Sequence, residues 1–153
     1  MTLRTKLVAG GALAKMLLTP LERPDRLPRS LRAMAPWGSS MAGLVAGAAA
    51  RYPDRIGIVD DDGSVTYREL WRRSQAIAAA LASHDVGPGS SVGLLARNRI
   101  GLVEAMTAVD ATGADLVLLN TGFAGPQLRE VVERGLRAVA LVPVDGARRL
   151  GQF

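Results

Sequence analysis

The chain has 153 residues, 48% hydrophobic and 22% charged, the balance of a globular domain with a core rather than of a disordered segment. Cysteine is absent, which excludes disulfides, thiolate catalysis and Cys-ligated zinc together. The net charge of +5 lies wholly within residues 1 to 36, where Arg4, Lys6, Lys15, Arg23, Arg26, Arg29 and Arg32 face only Glu22 and Asp25, so the rest of the chain is neutral and offers no basic surface for nucleic acid.

The basic arm opens "MTLRTKLVAGGALAKMLL", and residues 3 to 18 are expected to form a helix lying on the domain or on a membrane surface. Its apolar run is too short to span a bilayer. Lys15 interrupts that run and no clear small-x-small cleavage site follows before "TPLERPDRLPRS", so a secretory signal is the least favoured of the three readings. Prolines at 20, 24, 28 and 36 then predict an extended wrap over residues 19 to 40 with one helical turn near Leu31. We therefore divide the chain into a basic arm with its proline-rich wrap, residues 1 to 40, and an α/β body, residues 41 to 153.

The body begins with "MAGLVAGAAARYP", a helix stopped by Pro53. "IGIVDDDGSVTY" places two apolar runs around Asp-Asp-Gly, the chemistry of a tight hairpin. Three consecutive aspartates raise a metal reading, but a calcium loop needs spaced oxygen ligands closed by a distant acid, so a solvated turn is expected. In "VTYRELWRRSQAIAAAL" Thr66 and Glu69 have the spacing of a capping box, with Val65 and Leu70 as its hydrophobic staple. Leu70, Ile77 and Leu81 should share the buried side of that helix, widened by Trp71.

"DVGPGSSVGLLARN" carries a glycine-rich turn that precedes a strand, whereas phosphate cradles follow a strand and open a helix. Strands are predicted near 91 to 96, 115 to 119 and 138 to 142, and helices near 67 to 83, 100 to 112 and 126 to 134, with Gly113 as a left-handed stop and Pro126 in a first turn. Their alternation makes a parallel sheet flanked by helices. His84, the only histidine, falls near the end of a helix with no nucleophile arrangement around it.

Two stretches, "RYPDRIGIVDDDGSVTYRELWRRSQAIAAAL" and "GSSVGLLARNRIGLVEAMTAVDATGADLVLLNTGFAGPQLREVVE", resemble the opening of the adenylate-forming acyl-CoA synthetases, the AMP-binding enzyme family. The likeness is greatest to bacterial fatty-acid–CoA ligases, in which a phrase like "LLNTGFAGPQL" is characteristic, and it covers roughly residues 40 to 135. It implies the N-terminal subdomain of that fold. It also implies, for a full-length member, activation of a fatty acid with ATP and Mg²⁺, release of pyrophosphate, and transfer of the acyl group from AMP to coenzyme A.

The resemblance equally implies what these residues lack. The phosphate-binding loop ending in Pro-Lys, the adenine-contacting aromatic segment, the ribose-binding aspartate, the Mg²⁺-holding glutamate and the adenylation lysine have no counterpart here. No catalytic, cofactor-binding or metal residue is therefore assigned, and no nucleotide or metal is expected to bind this chain alone. The turn at Asn120, Thr121, Gly122 and Gly125 is expected to be structural. Pro143 and the Arg148-Arg149 pair replace acidic residues expected near the end, a departure that suits a product cut short. Three functions follow: an inactive N-terminal part of a cytoplasmic fatty-acid–CoA ligase, half of a split ligase, or a lipid-associated or membrane-associated module acting through residues 1 to 36.

Overall fold

The computed structural model describes residues 24 to 119, 126, 130 and 138 to 141, the last four by their backbone. The predicted helix over residues 3 to 18 and the turn over 120 to 125 lie outside the described residues.

Prolines punctuate the first segment differently from the expected wrap. A 3-10 turn, Pro24–Arg26, leads into helix α1, Leu27–Met34, with Pro28 in its first turn. There the missing proline N–H removes no intrahelical bond and the fixed φ suits a helix, so the proline starts the helix instead of preventing it. Helix α2, Met41–Arg51, packs against α1: Ser30 Oγ donates to Gly47 O at 3.0 Å and Arg26 Nη1 to Arg51 O at 3.1 Å. Ser40 caps the α2 N-terminus by accepting from the Gly43 amide.

Strands β1, Ile56–Asp60, and β2, Gly63–Thr66, form the expected hairpin, with Asp60 opposite Gly63 and Asp61-Asp62 at its tip. Gly63 has a φ of +138°, a value that only glycine adopts without strain. Thr66 then caps helix α3, Tyr67–Ala82. The Glu69 amide donates to Thr66 Oγ1 at 3.3 Å, and the Thr66 amide to Glu69 Oε2 at 3.0 Å, which completes the reciprocal box. Val65 and Leu70, the staple pair, are buried together with Val45.

The buried stripe of α3 departs from expectation in one respect. Its most buried positions are Leu70, Ser74 and Ala78, while Ile77 and Leu81 are half-buried. Leu70 is among the largest fully buried side chains of the protein, Ser74 and Ala78 are small, and Leu81 packs on the cluster of Val86, Val92, Val109 and Ala114.

Strand β3, Ser91–Leu95, lies between β4, Asp115–Leu119, and β5, Ala138–Leu141, and pairs in parallel with both. Helix α4, Ile100–Thr112, connects β3 to β4 and ends at Gly113 with a φ of +77°. Ala105, Thr107, Ala108 and Val109 of α4 are buried. The expected alternation of strand and helix is present, with Pro126 and Glu130 helical within the stretch predicted as the next helix. No helix among the described residues is long and apolar enough to cross a membrane.

Candidate functional site

Parallel strands in register send all their connections out at one edge of the sheet. Leu95 is level with Leu119 on one side and Leu141 on the other, so the chain leaves the central strand and both neighbours at the carboxyl edge. Open α/β sheets bind ligands at this edge, beside a strand where the order reverses. Here β3 is that strand, because the next two strands lie on opposite sides of it.

The connection after β3 presents Arg97 and Asn98 to solvent, then Arg99 and the start of α4. Arg99 provides no side-chain cap for α4. Instead the hairpin tip reaches across: Asp60 Oδ2 accepts from the Ile100 amide at 2.8 Å, and Asp60 Oδ1 from the Asp62 amide at 2.9 Å. Arg99 closes the junction by donating to Asp62, with Asp61 at 3.6 Å. The triple aspartate is thus more than a solvated turn. Asp60 is a helix cap supplied from distant sequence, and Asp61 and Asp62 hold the arginine beside it.

Electrostatics follow from that geometry. The Ile100 amide holds the Asp60 carboxyl below the usual carboxylate range, with help from the Asp62 amide and Arg99 and with desolvation opposing. Glu69 is lowered in the same sense, mainly by the Thr66 amide and hydroxyl. Hydrogen bonding and charge from Asp62 push Arg99 upward, so it remains cationic. A carboxylate with a depressed folded-state pKa contributes stability that is present above its unfolded value, about 4, and is lost as pH falls through the folded one. Asp60→Asn is therefore expected to lower the melting temperature near neutral pH and to shrink the drop between about pH 5 and pH 3. An unchanged acid limb in thermal melts would refute the cap.

The described residues do not fit a magnesium nucleotide. An anion would need the free amides at the start of α4, but Asp60 occupies the Ile100 amide and Asp61 and Asp62 lie beside it. A divalent cation would need clustered, uncommitted oxygens. No group of three or more His, Cys, Asp or Glu side chains suited to a metal occurs among the described residues. His84 lies exposed beyond the end of α3, its amide bonded to Leu81 O. The Gly87-Pro88-Gly89 turn sits at the amino end of β3, opposite the carboxyl edge, where Ser90 Oγ accepts from the Gly87 amide.

Residues 45 to 150 match the family model described as AMP-binding enzyme. The chain belongs to the AMP-binding enzyme family. The match continues past residue 135, so Pro143 and the Arg148-Arg149 pair do not mark the end of the family likeness.

Among individual members, a medium/long-chain-fatty-acid–CoA/3-oxocholest-4-en-26-oate–CoA ligase of Mycobacterium marinum is 33% identical over 103 residues, covering 67% of this chain and 18% of the ligase. An isonitrile lipopeptide synthase of Mycobacterium tuberculosis is 34% identical over 156 residues, covering 95% of this chain and 6% of the synthase. In structure, the O-succinylbenzoate coenzyme A synthetase of Bacillus subtilis, in complex with ATP and magnesium ion, aligns with a TM-score of 0.60 and 31% identity over 63% of this chain and 27% of that one. The α/β body thus matches the N-terminal subdomain of adenylate-forming enzymes, and the chain spans less than a third of these members' lengths.

Proposed function

We propose that these residues form the opening part of a cytoplasmic fatty-acid–CoA ligase and serve as scaffold, not as the site of adenylation. The observation that carries this is the α4 N-terminus, where the Ile100 amide, which an anion beside the central strand would use, is already taken by Asp60. The fatty-acid assignment is supported by the Mycobacterium marinum ligase and by a medium/long-chain-fatty-acid–CoA ligase of Mycobacterium tuberculosis that is 42% identical over 72 residues.

Adenylation of a carboxylate requires donors and a metal already focused on the phosphates, because the charge that develops in the transition state must be met without reorganisation. Arg97 and Asn98 are exposed side chains on a connection, and a lone surface cation is screened within about 8 to 10 Å at ordinary ionic strength. ATP, Mg²⁺ and coenzyme A would be held by the parts of a ligase that these 153 residues do not supply.

Fatty-acid-dependent ATP–pyrophosphate exchange by the purified chain tests the proposal. No exchange above a protein-free control is expected, whether the chain is alone or mixed with a separately expressed remainder of a fatty-acid–CoA ligase. Exchange by the chain alone would overturn the scaffold reading. Exchange restored by mixing would establish the split ligase in its place.

A further inference from the structure

The peptide bond between Asp62 and Gly63, where the β1–β2 hairpin turns, is of the kind at which an aspartyl carboxyl reacts with its own main chain. Glycine has no Cβ, so its amide meets the least steric resistance in turning onto the preceding side chain. Both residues are exposed, the Asp62 side chain by 70%. Nothing stands within 4 Å of where a Gly63 Cβ would lie.

The chemistry needs only water. The Gly63 nitrogen attacks Asp62 Cγ and forms a C–N bond, while one carboxylate oxygen leaves as water with the amide proton and a proton from solvent. The product is a cyclic succinimide. Water then adds to either ring carbonyl and releases a proton. Opening at Cγ restores aspartate. Opening at the main-chain carbonyl carbon leaves the chain running through Cγ, with a free carboxylate where the main-chain carbonyl was. This isoaspartate has the mass and charge of the original residue and one more methylene in its backbone.

Two contacts oppose ring closure in the folded chain. Arg99, from the distant start of α4, donates to Asp62 Oδ2 and anchors the carboxylate. The Gly63 amide is turned toward the Asp60 carboxylate. Asp62 must leave Arg99, and Gly63 must leave Asp60, before nitrogen and carbon can meet.

From this arrangement we infer that Asp62-Gly63 is a site of spontaneous isoaspartate formation whose rate is set by the Arg99 contact. The added methylene falls beside the Asp60–Gly63 pair of the hairpin, and Asp60 is the residue that caps α4. Modification therefore loosens both the turn and the helix start docked on it. The inference is independent of whether the chain takes part in a ligase.

Ageing of the full chain at neutral pH, followed by peptide mapping that separates isoaspartyl from aspartyl peptides of equal mass, provides the test. The sequence supplies an internal reference in its other Asp-Gly pair, Asp145-Gly146. Isoaspartate should accumulate at position 62 in the wild type, and about two- to fivefold faster in Arg99→Gln, the range that an exposed ion pair supplies. Arg99→Lys should restore most of the protection, and neither substitution should change the rate at Asp145. In strong urea, where the contact is absent, wild type and Arg99→Gln should age alike at position 62. Asp62→Glu should form no isomer there, because the larger ring closes far more slowly. The near-ultraviolet signal of Trp37 and Trp71 checks that each variant is folded.

No isoaspartate at position 62 in either the folded wild type or folded Arg99→Gln would overturn the site. Equal rates in those two chains, or an equal acceleration at Asp145, would overturn the role of Arg99.

Discussion

Replacing Leu70 with alanine should cost about 3 kcal/mol and lower the melting temperature by roughly 10 °C. Leu70 is 2% exposed and sits where α2, the β1–β2 hairpin, α3 and α4 meet. It shares a cluster with Val45 of α2 and Val65 of β2, and Ile58, Trp71, Ile100 and Val103 pack around it from the hairpin, α3 and α4. Truncation removes a buried isobutyl group and leaves a cavity that helices held by separate caps cannot easily close. Against a total stability of about 5 to 15 kcal/mol, that is a large fraction. Trp37 and Trp71, edge to face at 5.1 Å, should report the loosening through their fluorescence. Leu118→Ala is the control: Leu118 is 57% exposed, and its loss should change stability by less than about 0.5 kcal/mol. Equal costs at the two positions would show that the core is placed wrongly.

Gly43→Ala separates local preference from tertiary packing. Within a helix, alanine is favoured over glycine by about 1 kcal/mol, so propensity alone forecasts a gain in stability. Packing forecasts the reverse. A Cβ at Gly43 would stand 2.1 Å from the Gly38 carbonyl oxygen, a backbone atom that cannot swing aside like a side-chain tip. Relief requires moving the α1–α2 connection or shifting the start of α2. That connection is held by Trp37 Nε1 donating to Ala111 O at 3.3 Å, and the α2 start by the Ala42 amide donating to Asp110 Oδ2 at 2.7 Å. A net loss of about 2 kcal/mol in urea unfolding is expected, since forced overpacking costs about 1 to 3 kcal/mol and here disturbs two further bonds. A midpoint equal to or above the wild type would mean that the connection yields freely.

What the sequence alone determined is what neighbouring residues decide among themselves. Thr66 and Glu69 are three apart and can satisfy each other's amides only by starting a helix there, which α3 does. Asp-Asp-Gly turned the hairpin, Gly113 stopped α4, and the apolar runs near 92 and 116 became parallel strands. The phrase around Asn120 led to the family because its order of residues is unusual, not because its geometry was legible. The resemblance in turn implied that the adenylation residues belong elsewhere in a ligase.

The tertiary structure decided the rest, because those choices depend on groups far apart in the chain. Prolines that locally suggest an extended wrap began α1 once its Ser30 side met the glycine and alanine surface of α2. Asp60 read as a solvated turn residue, yet its carboxylate caps a helix forty positions later. Asp110 likewise lies in the last turn of α4 but serves the amide of Ala42. A helix start without its own cap leaves orphan amides, and a distant carboxylate satisfies them only when packing brings the two together.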